Sequence, residues 1–293
     1  MGILIGILEE GMIYAILALG VLITYRILDF PDLSVDSTFP LGAAVSAVLT
    51  VNGWNPVLSL LVATLAGAAA GFITGFIHVK CKVRDLISGI ITMTGLYSVN
   101  LRIAGKANLP FFNMDTLFDN DFVSGFPAFL QPWSKVIVVL IVLVAVKLLL
   151  DLFMKTRAGY LLRATGDNHS VVSTLAQDSG WVKIEGLVIA NALVALAGAV
   201  MAQKNRVFEI SMGTGALVFG LAAVIIGVNL FHNMSFIKAT TAAIIGSVIY
   251  KACVALALSI GLQPQDLKLI TAALFLIILV LGGARKKKVK LHA

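Results

Sequence analysis

Charged residues are scarce in this sequence, and their scarcity excludes a soluble globular protein. Asp, Glu, Lys and Arg make up 13% of the 293 residues, whereas soluble domains carry about 25%. Hydrophobic residues make up 59% of the chain, and the mean hydropathy is +0.98. The composition therefore predicts an integral membrane protein.

The sequence also lacks the patterns that bind metals or nucleotides. Cys81 and Cys253 stand far apart, with no CxxC pair, and packing is their expected role. The only Gly-Lys pair, Gly105-Lys106, is followed by Ala and lacks the earlier glycine of a phosphate-binding loop. No HExxH, Ser/Lys or paired-Asp signature is present. We expect no metal, no cofactor, no catalytic residue and no enzyme, so that energy comes from a partner subunit or an ion gradient.

Basic residues are missing from the first part of the chain and concentrated at its end. The first Lys or Arg is Arg26, so the amino terminus has no basic region of a signal peptide, and its apolar run is expected to be a retained helix. Five cations lie in residues 285–293, a tail that predicts contact with anionic lipid. Because no aromatic residues are interleaved with them, the net charge of +7 does not indicate nucleic-acid binding.

Nine apolar runs approach the roughly 20 residues that a spanning helix needs. They make residues 1–284 one all-α transmembrane domain, with 285–293 as a cytoplasmic tail. Fourteen Lys and Arg residues fall at inner ends and six at outer ends, as the positive-inside rule requires. The second run contains Pro40 and Gly42, and if it is re-entrant the amino terminus lies inside instead of outside. The predicted spans are 3–26, 37–52, 56–78, 85–104, 134–153, 184–203, 214–231, 236–259 and 266–284.

With nine spans, the first four helices and the last four run in opposite directions, as in the inverted repeats of transporters. In each half a polar stretch containing Gly or Pro follows the first helix, at 29–42 and at 205–215. The repeat is a hypothesis, because the sequence similarity between the halves is slight.

A polar, basic segment at 155–170 interrupts the apolar chain where bundle connections are usually about 2–8 residues long. Its charge alone fits a cytoplasmic anchor equally well. The order Arg157-Ala158-Gly159, Leu161-Leu162-Arg163-Ala164 and Gly166-Asp167-Asn168 closely resembles the coupling helix of ABC-importer permeases of the branched-chain amino acid type. The segments 11–20 and 220–227 also resemble that family. The segment 29–44 departs from its branched-chain amino acid members and, with 88–102 and 105–110, resembles a subgroup linked to aromatic amino acid (tryptophan and tyrosine) uptake.

The resemblance implies a short helix that lies along the membrane and docks into a groove of a cytoplasmic ATP-binding subunit. We expect the arginines to bind that partner, Tyr160, Leu161 and Leu162 to form an apolar knob, and Gly166 to stop the helix. The resemblance also implies a homodimer and an extracytoplasmic substrate-binding protein. The predicted coupling residues are Arg157, Gly159, Tyr160, Leu161, Arg163, Ala164, Gly166, Asp167 and Asn168.

The expected function is therefore the permease subunit of a bacterial ABC importer in the inner membrane, carrying an amino acid, and the subgroup resemblance implies an aromatic one. Nucleoside, sugar or peptide import stays open, as does an ion-coupled secondary transporter. Such a carrier needs a buried acid or histidine relay, and no convincing one is found. Uncharged polar groups within the spans are candidates for the substrate pathway, although each fits a bond between helices equally well: Thr38, Ser46, Ser98, Asn100 and Asn191.

Three further features have open interpretations. Gly67, Gly71 and Gly75 recur every fourth residue, which fits close helix packing better than a sliding or dimer surface. Glu9 and Glu10 are suited to a substrate amine, a basic helix end or a solvated vestibule, and Lys251 lies within a span with no acid nearby in sequence. The outer loop 105–133 is expected to cap the bundle, to dock a binding protein, or both.

Overall fold

Helices form almost all of the computed structural model. It describes residues 2–120, 123, 125, 127, 130–167, 179–231, 234, 237–259, 269, 271–273, 275–277 and 280. In chain order the helices are α1 (Gly2–Val21), α2 (Val35–Val51), α3 (Pro56–Val79), α4 (Asp85–Ala104), α5 (Ser134–Phe153), α6 (Arg157–Asp167), α7 (Ser179–Asn205), α8 (Ala216–Leu230) and α9 (Ala239–Ser259). A π-helical turn, Leu22–Ile27, extends α1, and 3-10 turns at Gln131–Trp133 and Ile210–Gly213 precede α5 and α8.

Seven of these helical stretches are long and apolar enough to cross a membrane. They contain α1, α3, α4, α5, α7, α8 and α9, in agreement with seven of the nine predicted spans. The second predicted span is the shorter helix α2, which contains Pro40. The predicted span 266–284 and the tail 285–293 lie largely or wholly outside the described residues. The all-α membrane bundle is therefore confirmed, and the count of nine stays a prediction.

The stripe of small residues on α3 packs inside the chain. A Cβ atom added at Gly67 would lie 2.5 Å from the Asn191 carbonyl oxygen, and one at Gly71 would lie 2.2 Å from that of Leu187. Gly75 faces Ile184 one turn further along. Helices α3 and α7 thus run antiparallel with their backbones in contact. The interpretation of the three glycines as a site of close helix packing is therefore confirmed.

Helix α2 approaches α7 just as closely, through one glycine on each helix. A Cβ at Gly42 would lie 1.9 Å from the Ala195 carbonyl oxygen, and a Cβ at Gly198 would lie 1.9 Å from that of Phe39. In lipid the hydrophobic effect does not drive helices together, so close backbone approach and interhelical hydrogen bonds stabilise the bundle. The close backbone contacts and the interhelical hydrogen bonds of this chain are both concentrated on α7.

At the carboxyl end of α7, which the predicted orientation places outside, Gln203 joins three segments of the chain. Its Nε2 donates to Ser46 Oγ at 3.0 Å and to Ser59 Oγ at 2.9 Å, and its Oε1 accepts from the Leu117 amide at 2.9 Å. All three side chains are fully buried. Ser46, a predicted pathway residue, therefore lies in a hydrogen-bonded joint between α2, α3 and the outer loop.

The outer loop caps the bundle, as one of its two predicted roles requires. Two strands, β1 (Asn108–Pro110) and β2 (Val207–Glu209), pair antiparallel with Leu109 opposite Phe208. Phe111 and Phe118 are buried beneath the loop, and Arg206 forms an ion pair with Asp119. This cap ties the outer end of α4 to that of α7.

The close contact of α3 with α7 yields a stability prediction. Gly71→Leu forces a side chain into the Leu187 backbone, so we expect the free energy of unfolding to fall by about 3 kcal/mol. Ala69→Leu, on the exposed side of the same helix, is the matched control. Denaturant titration of the purified protein in detergent measures both, and equal stability of the two variants would contradict the packing described here.

Candidate functional site: helix α6 and the inner ends of the helices it contacts

The segment predicted as a coupling helix is a helix in the structure. It extends over Arg157–Asp167 and follows α5 after only three residues. Thr156 helps to start it, because its Oγ1 accepts from the Gly159 amide at 3.4 Å and its carbonyl oxygen accepts from the Tyr160 amide at 3.1 Å. Asn168, also predicted to belong to the coupling residues, lies outside the described residues.

Two faces of α6 differ sharply in their surroundings. Arg157, Tyr160 and Arg163 are exposed, with the Tyr160 side chain 61% exposed and the Arg163 guanidinium 6.0 Å from its ring centre. Leu162 and Thr165 are buried on the opposite face. The exposed face offers two cations and an aromatic ring at the inner end of the bundle.

The buried face changes two of the sequence-based expectations. Leu162 was predicted to belong to an outward apolar knob, but it is 1% exposed and packs towards Leu28 and Gly186. Gly166 was predicted to stop the helix, but the helix continues through it to Asp167. A Cβ at Gly166 would lie 1.7 Å from the Ile27 carbonyl oxygen. The glycine is needed because α6 rests directly on the backbone of the π-helical turn.

Gly159 forms a second close contact on this side of α6. A Cβ there would lie 2.5 Å from the Phe153 carbonyl oxygen and 2.6 Å from the Cα of Met154. Leu161 and Ala164 are half-buried between the two faces. Helix α6 is thus held between the end of α5 and the inner end of α1.

The loop 28–34 leads from the π-helical turn into α2, and its buried residues, Leu28, Phe30, Asp32 and Ser34, include two that α7 holds. Asn191 donates from Nδ2 to Asp32 Oδ2 at 2.7 Å and accepts from Ser34 Oγ at 3.1 Å. Asp32 also accepts from the Ser34 amide at 2.9 Å, and Thr38 donates to the Ser34 carbonyl at 3.0 Å. Asn191 and Thr38, two predicted pathway residues, therefore position this loop and are fully buried.

From the loop the connection continues into α4. Asn100 on α4 donates from Nδ2 to the Ser37 carbonyl oxygen at 2.9 Å, while its Oδ1 has no partner among the described residues. Asn100 is fully buried between α4 and α2. A continuous set of contacts thus leads from α6 through the π-helical turn, the loop 28–34 and α2 to α4.

Ser98 alone among the five predicted pathway residues is exposed. It shares one face of α4 with Ile91, Thr94, Gly95 and Arg102, all of which are exposed. The opposite face, which includes Ser88, Gly89 and Asn100, is buried. Apart from the neighbouring residues of α4 itself, no described residue comes within 4 Å of a Cβ built at Gly95. Polar residues at membrane depth usually face a bundle interior or water, so this strip is open to a partner or a pathway.

Charged residues in the outer half of the bundle form a second cluster. Glu10 accepts from Lys204 at 3.3 Å and from Lys251 at 2.9 Å, and Lys204 also lies 3.6 Å from Glu9. The Lys251 ammonium lies 4.4 Å from the ring centre of Tyr14. Glu9 and Glu10 therefore contact a basic helix end, one of their predicted partners, because Lys204 belongs to the last turn of α7.

Sequence reasoning missed the roles of Asp36 and Asp151. Asp36 accepts from the backbone amides of Gly215 at 3.2 Å and Leu217 at 2.8 Å, so a residue of α2 caps the start of α8. Asp151 accepts from Lys238 at 2.8 Å as well as from Lys147 at 3.2 Å. The spacing of Lys147 and Asp151 predicts their pairing, but nothing local predicts the partners more than 80 residues away. Among the described residues no group of His, Cys, Asp or Glu could hold a metal.

Comparisons with known proteins agree with this architecture. Residues 3–281 match the family described as "Branched-chain amino acid transport system / permease component". The tyrosine transport system permease protein of Clostridioides difficile (strain R20291) is 43% identical over 280 residues, covering 96% of this chain and 91% of that protein. The probable branched-chain amino acid transport permease protein LivH of Methanocaldococcus jannaschii is 29% identical, covering 72% of this chain and 70% of that protein.

A solved structure shares the fold. PsaBC from Streptococcus pneumoniae in complex with Fab superposes with a TM-score of 0.53 at 14% identity, covering 93% of this chain and 89% of that chain. The family match includes every helix from α1 to α9. The chain therefore belongs to the branched-chain amino acid transport system permease family and is an ABC-type, multi-pass permease of the bacterial inner membrane.

Proposed function

We propose that this permease imports an aromatic amino acid, with tyrosine as the first candidate, and that an ATP-binding subunit drives it through α6. The substrate is taken from the relative that is 43% identical over nearly the whole chain. The single structural observation that carries the mechanism is the division of α6 into a buried face on the α1 backbone and an exposed face of Arg157, Tyr160 and Arg163. A soluble partner can bind the exposed face while the buried face transmits its movement.

The transmission follows the contacts already described. A displacement of α6 acts on Ile27 through Gly166, because no side chain lies between the two backbones. The π-helical turn leads into the loop 28–34, whose position depends on Asn191. Since α2 begins at the end of this loop and accepts the Asn100 bond, α4 follows α2. Single π-type turns within helices are frequent at functional sites.

The moving helix α4 carries the proposed pathway. Its exposed strip of Thr94, Gly95 and Ser98 has no cover from the described chain, and a second copy of the permease would place the same strip opposite. Two such strips enclose a polar path, which is why the protein works as a homodimer with two ATP-binding subunits. An extracytoplasmic binding protein delivers the amino acid to the outer cap.

The proposal includes the ninth span and the inverted repeat. Both short helices, α2 and α8, start after a polar loop, and the two starts meet where Asp36 caps α8. The helix contacts also correspond between the halves, because α1 packs on α9 as α7 packs on α3. In broken-helix transporters such paired starts lie near the bilayer midplane.

A charge reversal on the exposed face of α6 tests the coupling. For Arg163→Glu we expect at least a tenfold loss of affinity for the ATP-binding subunit, roughly 1.4 kcal/mol or more, because a carboxylate replaces a charge-assisted donor. Lys82→Glu, an exposed inner cation outside α6, makes the same charge change and is the control. Titration of the detergent-solubilised permease with the subunit measures both, and unchanged binding of Arg163→Glu would place the coupling elsewhere.

Thiol accessibility tests the pathway on α4. In a background without Cys81 and Cys253, we expect Ser98→Cys to react at least about tenfold faster with a membrane-impermeant thiol reagent than Leu61→Cys, because thiolate forms in water and not in lipid. Leu61 is exposed on α3 at a similar distance from the outer helix end. Equal labelling rates in proteoliposomes would show that the α4 strip faces lipid.

A further inference from the structure

An inner pocket of about 540 Å³ lies between α6, α5, the π-helical turn of α1 and the start of α9. Four cations line it: Arg26, Lys155, Arg163 and Lys238. The one carboxylate in its wall, Asp151, already accepts hydrogen bonds from Lys238 and Thr240. The pocket therefore contains more positive charge than its own residues neutralise.

Three of these cations have no acidic partner in the described part of the chain. Lys238 is paired with Asp151, whereas no ion pair with a described residue is present for Arg26, Lys155 or Arg163. Arg26 and Lys155 are exposed, so their charges face the space of the pocket or the water beside it. A concave site with three free cations is suited to an anion carrying several acceptor oxygens.

The deeper part of the pocket is apolar. Leu22, Leu150 and Met154 line it and are buried, while the neighbouring Leu149 and Leu152 of α5 are exposed on the outside of the bundle. Apolar walls offer no favourable contacts to a small hydrated anion. A molecule with a phosphate head and hydrocarbon chains fits both parts, and the inner ends of spanning helices lie at the depth of lipid head groups.

The geometry points to a binding site for an anionic phospholipid of the inner leaflet, whose phosphate is held by Arg26, Lys155 and Arg163 and whose chains lie along α5. Arg163 belongs to α6, and Lys155 belongs to the short link before it. Arg26 belongs to the π-helical turn on which α6 rests. The lipid head group therefore ties α6 to α1 from the side, next to the direct contact at Gly166. This assignment goes beyond the proposed transport function and does not require that the ATP-binding subunit be known.

Native mass spectrometry of the purified permease, titrated with phosphatidylglycerol or phosphatidylcholine in detergent, tests the site. We expect Arg26→Gln/Lys155→Gln to retain phosphatidylglycerol roughly 30-fold more weakly than the wild type, since each cation near the surface contributes about fivefold. The control Lys106→Gln/Lys135→Gln removes two cations at the outer end and should bind phosphatidylglycerol as the wild type does. Both double variants leave the exposed face of α6 unchanged, and size-exclusion profiles verify their folding.

Three results would overturn the assignment. The first is the absence of either difference in binding. The wild type would then retain phosphatidylglycerol and phosphatidylcholine equally, or Arg26→Gln/Lys155→Gln would retain phosphatidylglycerol as strongly as the wild type does. The second is full displacement of phosphatidylglycerol by inorganic phosphate, which would make the pocket a site for free anions. The third is loss of ATP-binding subunit affinity in that variant with lipid retention unchanged, which would make the pocket part of a protein interface. A failure of Arg163→Glu to weaken subunit binding would leave the lipid result untouched.

Discussion

The backbone contacts of α7 with its neighbours are the constraint on which the rest of the structure depends. The glycines of these contacts let the helices approach until the neighbouring backbone occupies the space that a Cβ would need: Gly67, Gly71 and Gly75 of α3, Gly42 of α2 and Gly198 of α7 itself. In a bilayer, where lipid chains are as apolar as leucine, this proximity replaces the hydrophobic effect as the source of helix association. Asn191 adds hydrogen bonds at the middle of the same helix and Gln203 adds them near its end.

This arrangement divides the molecule into a fixed part and a part that can respond to α6. Helices α3 and α7 touch over several turns with few interruptions, so they form a scaffold. The π-helical turn and the loop 28–34 also contribute buried residues to the core, Ile23 and Phe30 among them, and Asn191 joins the loop to α7 by hydrogen bonds. Because α6 rests on the turn through Gly166, a partner that binds Arg157 and Arg163 acts first on this connection. The pocket beside Arg26 places a lipid at the same connection.

The sequence allowed the helical bundle and the position of α6 to be predicted, because these depend on local runs of apolar and basic residues. The orientation in the membrane stays a prediction. The family resemblance identified in 157–168 is confirmed by the match over residues 3–281. The faces of α6 were harder to predict. The spacing of Ala158, Leu161, Leu162 and Thr165 predicts one less polar side of the helix, but not whether that side meets the bundle or a partner, and Leu162 proved to be buried.

Partnerships across long sequence distances could not be predicted either. The chain has several acids that could pair with Lys251, and only the packing of α1 against α9 brings Glu10 to 2.9 Å from it. The polar pathway residues show the same limit. Thr38, Ser46, Asn100 and Asn191 have the chemistry of a substrate path, yet all four are hydrogen-bonded within the protein. Ser46, Asn100 and Asn191 bond another segment, and Thr38 bonds the Ser34 carbonyl at the start of its own helix. Ser98 differs from these four residues because it lies on an exposed face of α4. The sequence alone does not show which face of that helix is exposed.

The energy source of transport is the most direct test of the account, because Asp32 is a buried carboxylate of the kind an ion-coupled carrier would use. We would reconstitute the permease with its ATP-binding subunit and binding protein in proteoliposomes and measure uptake of labelled tyrosine. The account predicts that uptake requires ATP on the side of α6 and persists when ionophores collapse the ion gradients. Uptake that follows an imposed proton gradient without ATP would contradict it.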